Sequence, residues 1–209
     1  MIEFHNLESS CESYKITSIK QISETLFLCT FNSLHNFYIR TNYLENQNIN
    51  LDVGEVFSKE DFEDCTNAGL AFAAEKKAME YLGKNEHSRF LLKNKLLKKE
   101  YSNFAIEKAL DFLESKRYLD DSRYAMAFLR NRSITHYEGR NRLMTELLQR
   151  GVDKKIASLQ IDEFFEEKDE IEIAKKALEK LKRIGKKEDK IIACLERLGF
   201  SNRVIRDIV

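Results

Sequence analysis

Residues 147–161 read "LLQRGVDKKIASLQI", and the chain closes on a near copy of that phrase, "LERLGFSNRVIRDIV", at 195–209. In both, an apolar helical stripe runs into a glycine, an apolar residue and a capping side chain follow, and a second amphipathic pattern begins. A third version, "NKLLKKEYSNFAIEKAL" at 94–110, joins them when Tyr101, Val152 and Phe200 are aligned. Nine residues before that anchor stand Leu92, Leu143 and Ile191; five before it stand Leu96, Leu147 and Leu195. The i, i+4 spacing puts each pair on one buried helical face.

One residue past the anchor come Ser102, Asp153 and Ser201, whose side-chain oxygens can accept from the free N–H groups of a helix's first turn. Ala105/Ile106, Ile156/Ala157 and Val204/Ile205 then supply the apolar side of that next helix. Gly151 and Gly199 fall where a left-handed residue ends the preceding helix, whereas the first copy has Glu100. Each copy is preceded by one more helical stretch: "AEKKAMEYL", "DDSRYAMAFL" and "EIAKKALEKL". The anchors lie 51 and 48 residues apart, and Ala78/Ala177 and Leu82/Leu181 keep the register over 99 residues. Such a register marks a tandem repeat of a three-helix unit. Each unit covers only part of its apolar surface and stacks on its neighbour, which predicts a curved, quasi-linear array with a long surface and no deep pocket.

Outside the repeats the period changes. "YKI", "TLFLCTF" and "NFYIR" are short and rich in β-branched and aromatic residues, and "NINLDV" sets Ile49, Leu51 and Val53 at period two before Gly54 stops the run. A small antiparallel β unit of three or four strands is expected, ending where Ser58 and Asp61 begin a helix. The fold class is therefore mainly α: three tandem three-helix repeats, 58–116, 117–167 and 168–209, after a β-rich extension, 1–57. The absence of proline and the presence of only seven glycines among 209 residues permit long helices.

No N-terminal stretch joins a basic start to an apolar run, and nothing approaches the roughly 18 apolar residues of a membrane span. A cytoplasmic protein without membrane contact is expected. Cys11, Cys29, Cys65 and Cys194 form no C-x-x-C pair, and His5, His35, His87 and His136 supply no H-x-x-x-H spacing, so reduced structural thiols are expected and no metal or cofactor. The net charge of zero hides an asymmetry: residues 1–65 carry four Lys/Arg against eleven Asp/Glu, leaving the rest with an excess of seven positive charges. A basic helical body suits an acidic partner or nucleic acid, and equally an ordinary solvated surface.

The middle unit carries the candidate chemistry. Asp120 and Asp121 could hold a metal or share a proton, but at a helix start they read as caps, with Arg123 near enough to neutralise them. Arg123, Arg130, Arg132, Arg140, Arg142, Arg150, Lys154 and Lys155 make this unit the most arginine-dense. Arginine suits bidentate contact to carboxylate or phosphate, and the cluster is the candidate partner-binding stripe, against the plainer reading of solvated helix faces. Leu143 and Leu147 fix the buried face of their helix, leaving Arg140 and Arg142 off it and Glu146 free to pair with an arginine one turn away. His136 and Tyr137, in the loop read between Arg132 and Gly139, could stack on a base or cap the loop. No nucleophile elbow, phosphate loop or metalloprotease pattern occurs, so catalysis is not expected.

"YLDDSRYAMAFLRNR" followed by "EGRNRLMTELLQRGV" resembles the RecX family of bacterial recombinase regulators. The matching positions are Leu119, Asp120, Asp121, Arg123, Ala125, Arg132, Gly139, Arg142, Leu143, Glu146, Leu147, Gly151 and Val152. "HSRFLLKNKL" and "LERLGFS" extend the resemblance, while "EHSRF" and Glu100 depart from it in the first unit. The resemblance implies a fold of tandem three-helix repeats and a non-enzymatic modulator of the RecA recombinase. Such a protein lies in the groove of the recombinase–DNA filament, slows ATP hydrolysis and strand exchange, and limits filament growth. The competing readings are a stand-alone DNA-binding helix-turn-helix array and an interaction scaffold for an unrelated protein. With no long heptad seam, a monomer is expected.

Overall fold

The computed structural model describes residues 13–32 and 36–209, with backbone alone at 133–135, so His5, Cys11 and His35 lie outside the described residues. Among them are four strands, β1 (Tyr14–Ser23), β2 (Leu26–Phe31), β3 (Asn36–Arg40) and β4 (Val56–Phe57). Nine helices follow in three triplets: α1 (Lys59–Leu82), α2 (Arg89–Leu97) and α3 (Asn103–Ser115); α4 (Asp121–Thr135), α5 (Arg140–Gln149) and α6 (Lys154–Glu167); α7 (Glu170–Arg183), α8 (Glu188–Arg197) and α9 (Asn202–Ile208). The chain forms two compact units, Met1–Ala78 with Leu96–Phe112, and Met79–Lys95 with Leu113–Val209.

In the first unit the sheet is antiparallel throughout, in the order β3-β2-β1-β4. Alternation sends Ile16, Cys29, Phe31, Phe37, Ile39 and Phe57 to one buried face, against Phe62, Cys65, Ala68 and Ala71 of α1. Small residues bring helix and sheet close: a Cβ at Gly69 would meet the Phe37 ring at 2.7 Å. Burial pushes the thiols of Cys29 and Cys65 up to about 12, which leaves them protonated and inert. Arg40 donates two hydrogen bonds to Glu75, at 2.7 and 2.6 Å, and Tyr43 donates a third at 2.7 Å, tying the end of β3 to α1. Asp64 accepts from the backbone N–H groups of Glu45 and Asn46 at 2.9–3.0 Å.

"NINLDV" is not a strand. Its polar half makes local bonds instead: Asn48 N–H donates to the Asn46 side chain (3.0 Å), Ile49 N–H to the Asn46 carbonyl (3.2 Å), and the Asn50 amide to Asp52 (2.7 Å). Asn and Asp side chains thus outcompete a ladder. Ile49 and Leu51 still pack on the core, but Val53 is exposed, and the pairing strand is the short β4 beyond Gly54. The Ser58 start is as expected, with Asp61 N–H donating to Ser58 Oγ at 3.1 Å.

In the second unit the repeats interlock by a device used twice. Ser88, ahead of α2, donates its hydroxyl to the Arg150 carbonyl (2.6 Å), and the adjacent Gly151 (φ 75°) leaves its α-carbon so close to Phe90 that a Cβ would sit 2.2 Å from it. One repeat later Gly139, ahead of α5, donates to the Leu198 carbonyl (2.9 Å) and Asn141 to that of Gly199 (3.1 Å). A Cβ on Gly199 (φ 90°) would meet the Arg142 backbone nitrogen at 2.3 Å. Each glycine turn therefore docks on the start of the second helix of the repeat before it. Glu100 takes the same left-handed turn (φ 63°) but is exposed, so no close approach requires glycine there.

The aligned apolar positions of the second and third copies lie in the core of this unit. Leu143, Leu147, Ile191, Leu195, Val152 and Phe200 are all buried, as are Leu92 and Leu96 on α2. Asp153 and Ser201 cap α6 and α9, accepting from Lys155 N–H (2.8 Å) and Val204 N–H (3.3 Å), and Ser102 caps α3 through Ala105 N–H (3.2 Å).

Candidate functional site

The paired aspartates divide their work. Asp120 caps its own helix, accepting from Ser122 and Arg123 N–H groups at 2.8 and 3.2 Å. Asp121 accepts from the backbone N–H of Arg89 at 2.8 Å and so caps α2, in the repeat before. Burial raises its carboxyl above the usual range, against the lowering effect of the Arg89 N–H bond. Glu170 repeats the arrangement one unit on, accepting from Arg140 N–H at 3.2 Å. The Arg123 guanidinium makes no ion pair with either aspartate among the described residues, although after Glu86 the Asp120 charge also helps to raise its pKa. Its guanidinium meets Glu86 and donates to the carbonyls of Arg117 and Tyr118 at 3.0 and 2.8 Å. The reason is geometric: both carboxylates are already turned toward backbone N–H groups at helix starts.

Three of the sequence-selected arginines converge. Arg132 makes a bidentate pair with Glu138, both contacts 2.8 Å, and lies 3.8 Å from Glu146. Arg142 reaches Glu146 at 2.6 Å, and Arg150 bonds the same carboxylate and the Glu146 carbonyl. Glu146 is thus held from its i−4 neighbour on α5, from its i+4 neighbour at the end of that helix, and from α4. Burial alone would raise its carboxyl, but the Arg150 hydrogen bond and charge, with Arg142 and Arg132, hold it below the usual range. The Phe128 ring lies under two of the guanidiniums, 4.6 Å from Arg150 and 5.7 Å from Arg132.

The other five stand apart from this cluster. Arg140 pairs with Asp162 and, at 3.3 Å, with Glu170, and packs over Phe165 at 4.6 Å. Arg130 is mostly exposed, 3.9 Å from Glu167. Lys154 and Lys155, in the first turn of α6, are exposed and have no ion pair among the described residues. The burial is ordered by charge: the side chains of Glu138 and Glu146 are 6% and 9% exposed, that of Arg142 43%. In this cluster the two carboxylates lie beneath Arg142, whereas Asp162 and Glu167, the partners of Arg140 and Arg130, are 59% and 53% exposed.

The stretch read as a loop is partly helical, since α4 runs to Thr135; only 136–139 connect it to α5. In that connection Tyr137 takes a left-handed backbone (φ 51°) and turns its ring toward Lys180 of α7, 5.7 Å away. With Lys176, Glu179 and Arg183 these residues line an open cleft. Lysines and arginine at i, i+4 and i+7 of α7 were the available signal for this second cationic site, which the concentration of arginine in the middle unit obscured. Among the described residues no group of three His, Cys, Asp or Glu is placed to hold a metal, and no helix is long and apolar enough to cross a membrane.

The patterns of the RecX first and second three-helix domains match residues 74–113 and 120–158. A regulatory protein RecX of Treponema pallidum is 35% identical over 135 residues, 65% of this chain and 82% of that protein. One from Listeria monocytogenes is 26% identical over 199 residues, 92% of this chain and 73% of that protein. In three dimensions, a crystal structure of a regulatory protein RecX superposes with a TM-score of 0.72 at 21% identity, covering 93% of this chain and 98% of the other. RecX from Lactobacillus salivarius gives 0.58 at 22% identity, covering 66% and 94%. Matched by both three-helix domain patterns and by a relative of this identity and coverage, the chain belongs to the RecX family of regulatory proteins.

Proposed function

We propose that this protein regulates the RecA recombinase by binding its filament on DNA, slowing ATP hydrolysis and strand exchange and limiting filament growth. In this reading it works as a cytoplasmic monomer, without cofactor and without catalysing a reaction. Its three repeats, 58–116, 117–167 and 168–209, form the binding body, preceded by the β-rich extension 1–57. The contact stripe comprises Arg123, Arg130, Arg132, Arg140, Arg142, Arg150, Lys154 and Lys155. Family membership supports the role, and one observation supports the stripe: Glu138 and Glu146 are buried beneath Arg142, which remains 43% exposed, while Lys154 and Lys155 are exposed and unpaired among the described residues. Guanidiniums ordered from below lose little freedom when they meet a carboxylate or phosphate.

The test is a titration of substoichiometric protein into the cognate recombinase on single-stranded DNA, with ATP turnover as readout. Turnover should fall. The variant Arg130→Glu with Lys154→Glu and Lys155→Glu, whose side chains carry little of the fold, should inhibit at least about tenfold less well, from the several charge contacts removed. Unchanged turnover with the wild-type protein, together with tight binding to free DNA, would replace this reading with that of a stand-alone DNA binder.

A further inference from the structure

The cleft lined by Tyr137 and α7 carries a second assignment. The buried face of α7 is Ile173, Ala174, Ala177 and Leu178, which leaves Lys176, Lys180 and Arg183 exposed along a neighbouring stripe. Seven residues of helix separate the first cation from the last, about 10 Å. None of the three has an ion pair among the described residues, and Glu179 is the one carboxylate in the lining. Opposite them stands Tyr137, half-buried against the core of its own unit, with Lys180 Nζ 5.7 Å from its ring centroid. A bulky residue seldom adopts a left-handed backbone, and the strain of holding Tyr137 there at φ 51° is borne at the rim of this cleft.

We propose that this cleft binds single-stranded nucleic acid: a base stacks on Tyr137 while successive phosphates meet Lys176, Lys180 and Arg183. An aromatic face beside unneutralised cations is the combination a nucleotide strand requires. An acidic peptide would use the cations and leave the ring without a role. A duplex, with its bases already stacked on one another, would likewise leave the ring idle. The assignment deepens the filament reading, since it gives strand contact to the third repeat and leaves the middle-repeat arginines for protein. It rests on that reading only for its setting, because strand binding is measured on the protein alone.

The experiment is fluorescence anisotropy with a short labelled oligothymidylate, over a series of salt concentrations. The variant Lys176→Gln/Lys180→Gln/Arg183→Gln should bind more weakly and lower the slope of log affinity against log salt by about 2, three contacts at roughly 0.7 each. Tyr137→Leu keeps the apolar packing and removes the ring, so affinity should fall about tenfold with the salt slope unchanged. For the wild-type protein an abasic strand should show the same loss, and Tyr137→Leu should not distinguish it from the parent strand. Wild-type protein that does not bind the strand, variants that bind as the wild type does, or displacement by polyglutamate from a site indifferent to Tyr137 would each overturn the proposal. Recombinase ATP turnover is followed with the same samples: a wild-type protein that binds strand through this cleft but leaves turnover unchanged removes the filament reading and keeps this one.

Discussion

Replacing Glu146 with Gln would remove the charge on which three arginines converge while keeping the side chain's shape. The carboxylate is 9% exposed, accepts from Arg150 and Arg142, and has Arg132 3.8 Å away. Breaking a fully buried pair costs roughly 3–5 kcal/mol. Here Arg142 and Arg150 are 43% and 30% exposed and rehydrate, while Arg132 keeps Glu138, so the cost falls to about 2 kcal/mol. For a chain of this length that corresponds to a fall in Tm of about 6 °C at neutral pH, followed by far-ultraviolet circular dichroism. The pH dependence has a definite sign. The Glu146 carboxyl is held below its ordinary value, so its contribution is complete above the unfolded pKa of about 4.3 and is lost as pH falls through the lower folded value. The gap in Tm between wild type and variant should stay constant from neutral to mildly acidic pH and close only in stronger acid. A variant within a degree of wild type at neutral pH, or a gap that ignores acid, would refute the network's role.

Gly199→Ala should destabilise the second unit by about 3 kcal/mol, through both its left-handed backbone and a Cβ 2.3 Å from the Arg142 nitrogen, as denaturant unfolding would report. Glu100→Gly should do the reverse, raising stability by about 1 kcal/mol in the same measurement, because the turn is already left-handed and exposed. Glu75→Gln leaves the largely buried Arg40 without its charge partner, a loss of about 3 kcal/mol that amide hydrogen exchange should localise to β3 and the single helical turn Thr41–Tyr43 that follows it.

Much of the architecture is legible in short-range pattern. The i, i+4 leucines, the capping Ser102, Asp153 and Ser201, and the glycines of the left-handed turns each act within a turn or two of helix, and their recurrence at 51 and 48 residues identifies the repeat. Local pattern also misleads where side chains compete with the backbone, as the asparagines of "NINLDV" do, since periodicity records which residues alternate but not what their amides bond.

Partner choice was decided by the tertiary structure. Nothing near Asp121 in sequence indicates that its carboxylate caps a helix beginning at Arg89, 32 residues earlier, or that the Arg150 carbonyl takes the Ser88 hydroxyl across 62. The arginines were visible as a cluster, but which of them are held by Glu138 and Glu146 and which pair elsewhere depends on how α4 and α5 pack. Composition and spacing determine which elements form and that they repeat, because those forces act along the chain. The packing of α4 against α5 sets which arginines share Glu138 and Glu146 and which pair elsewhere, because that outcome depends on distances through space.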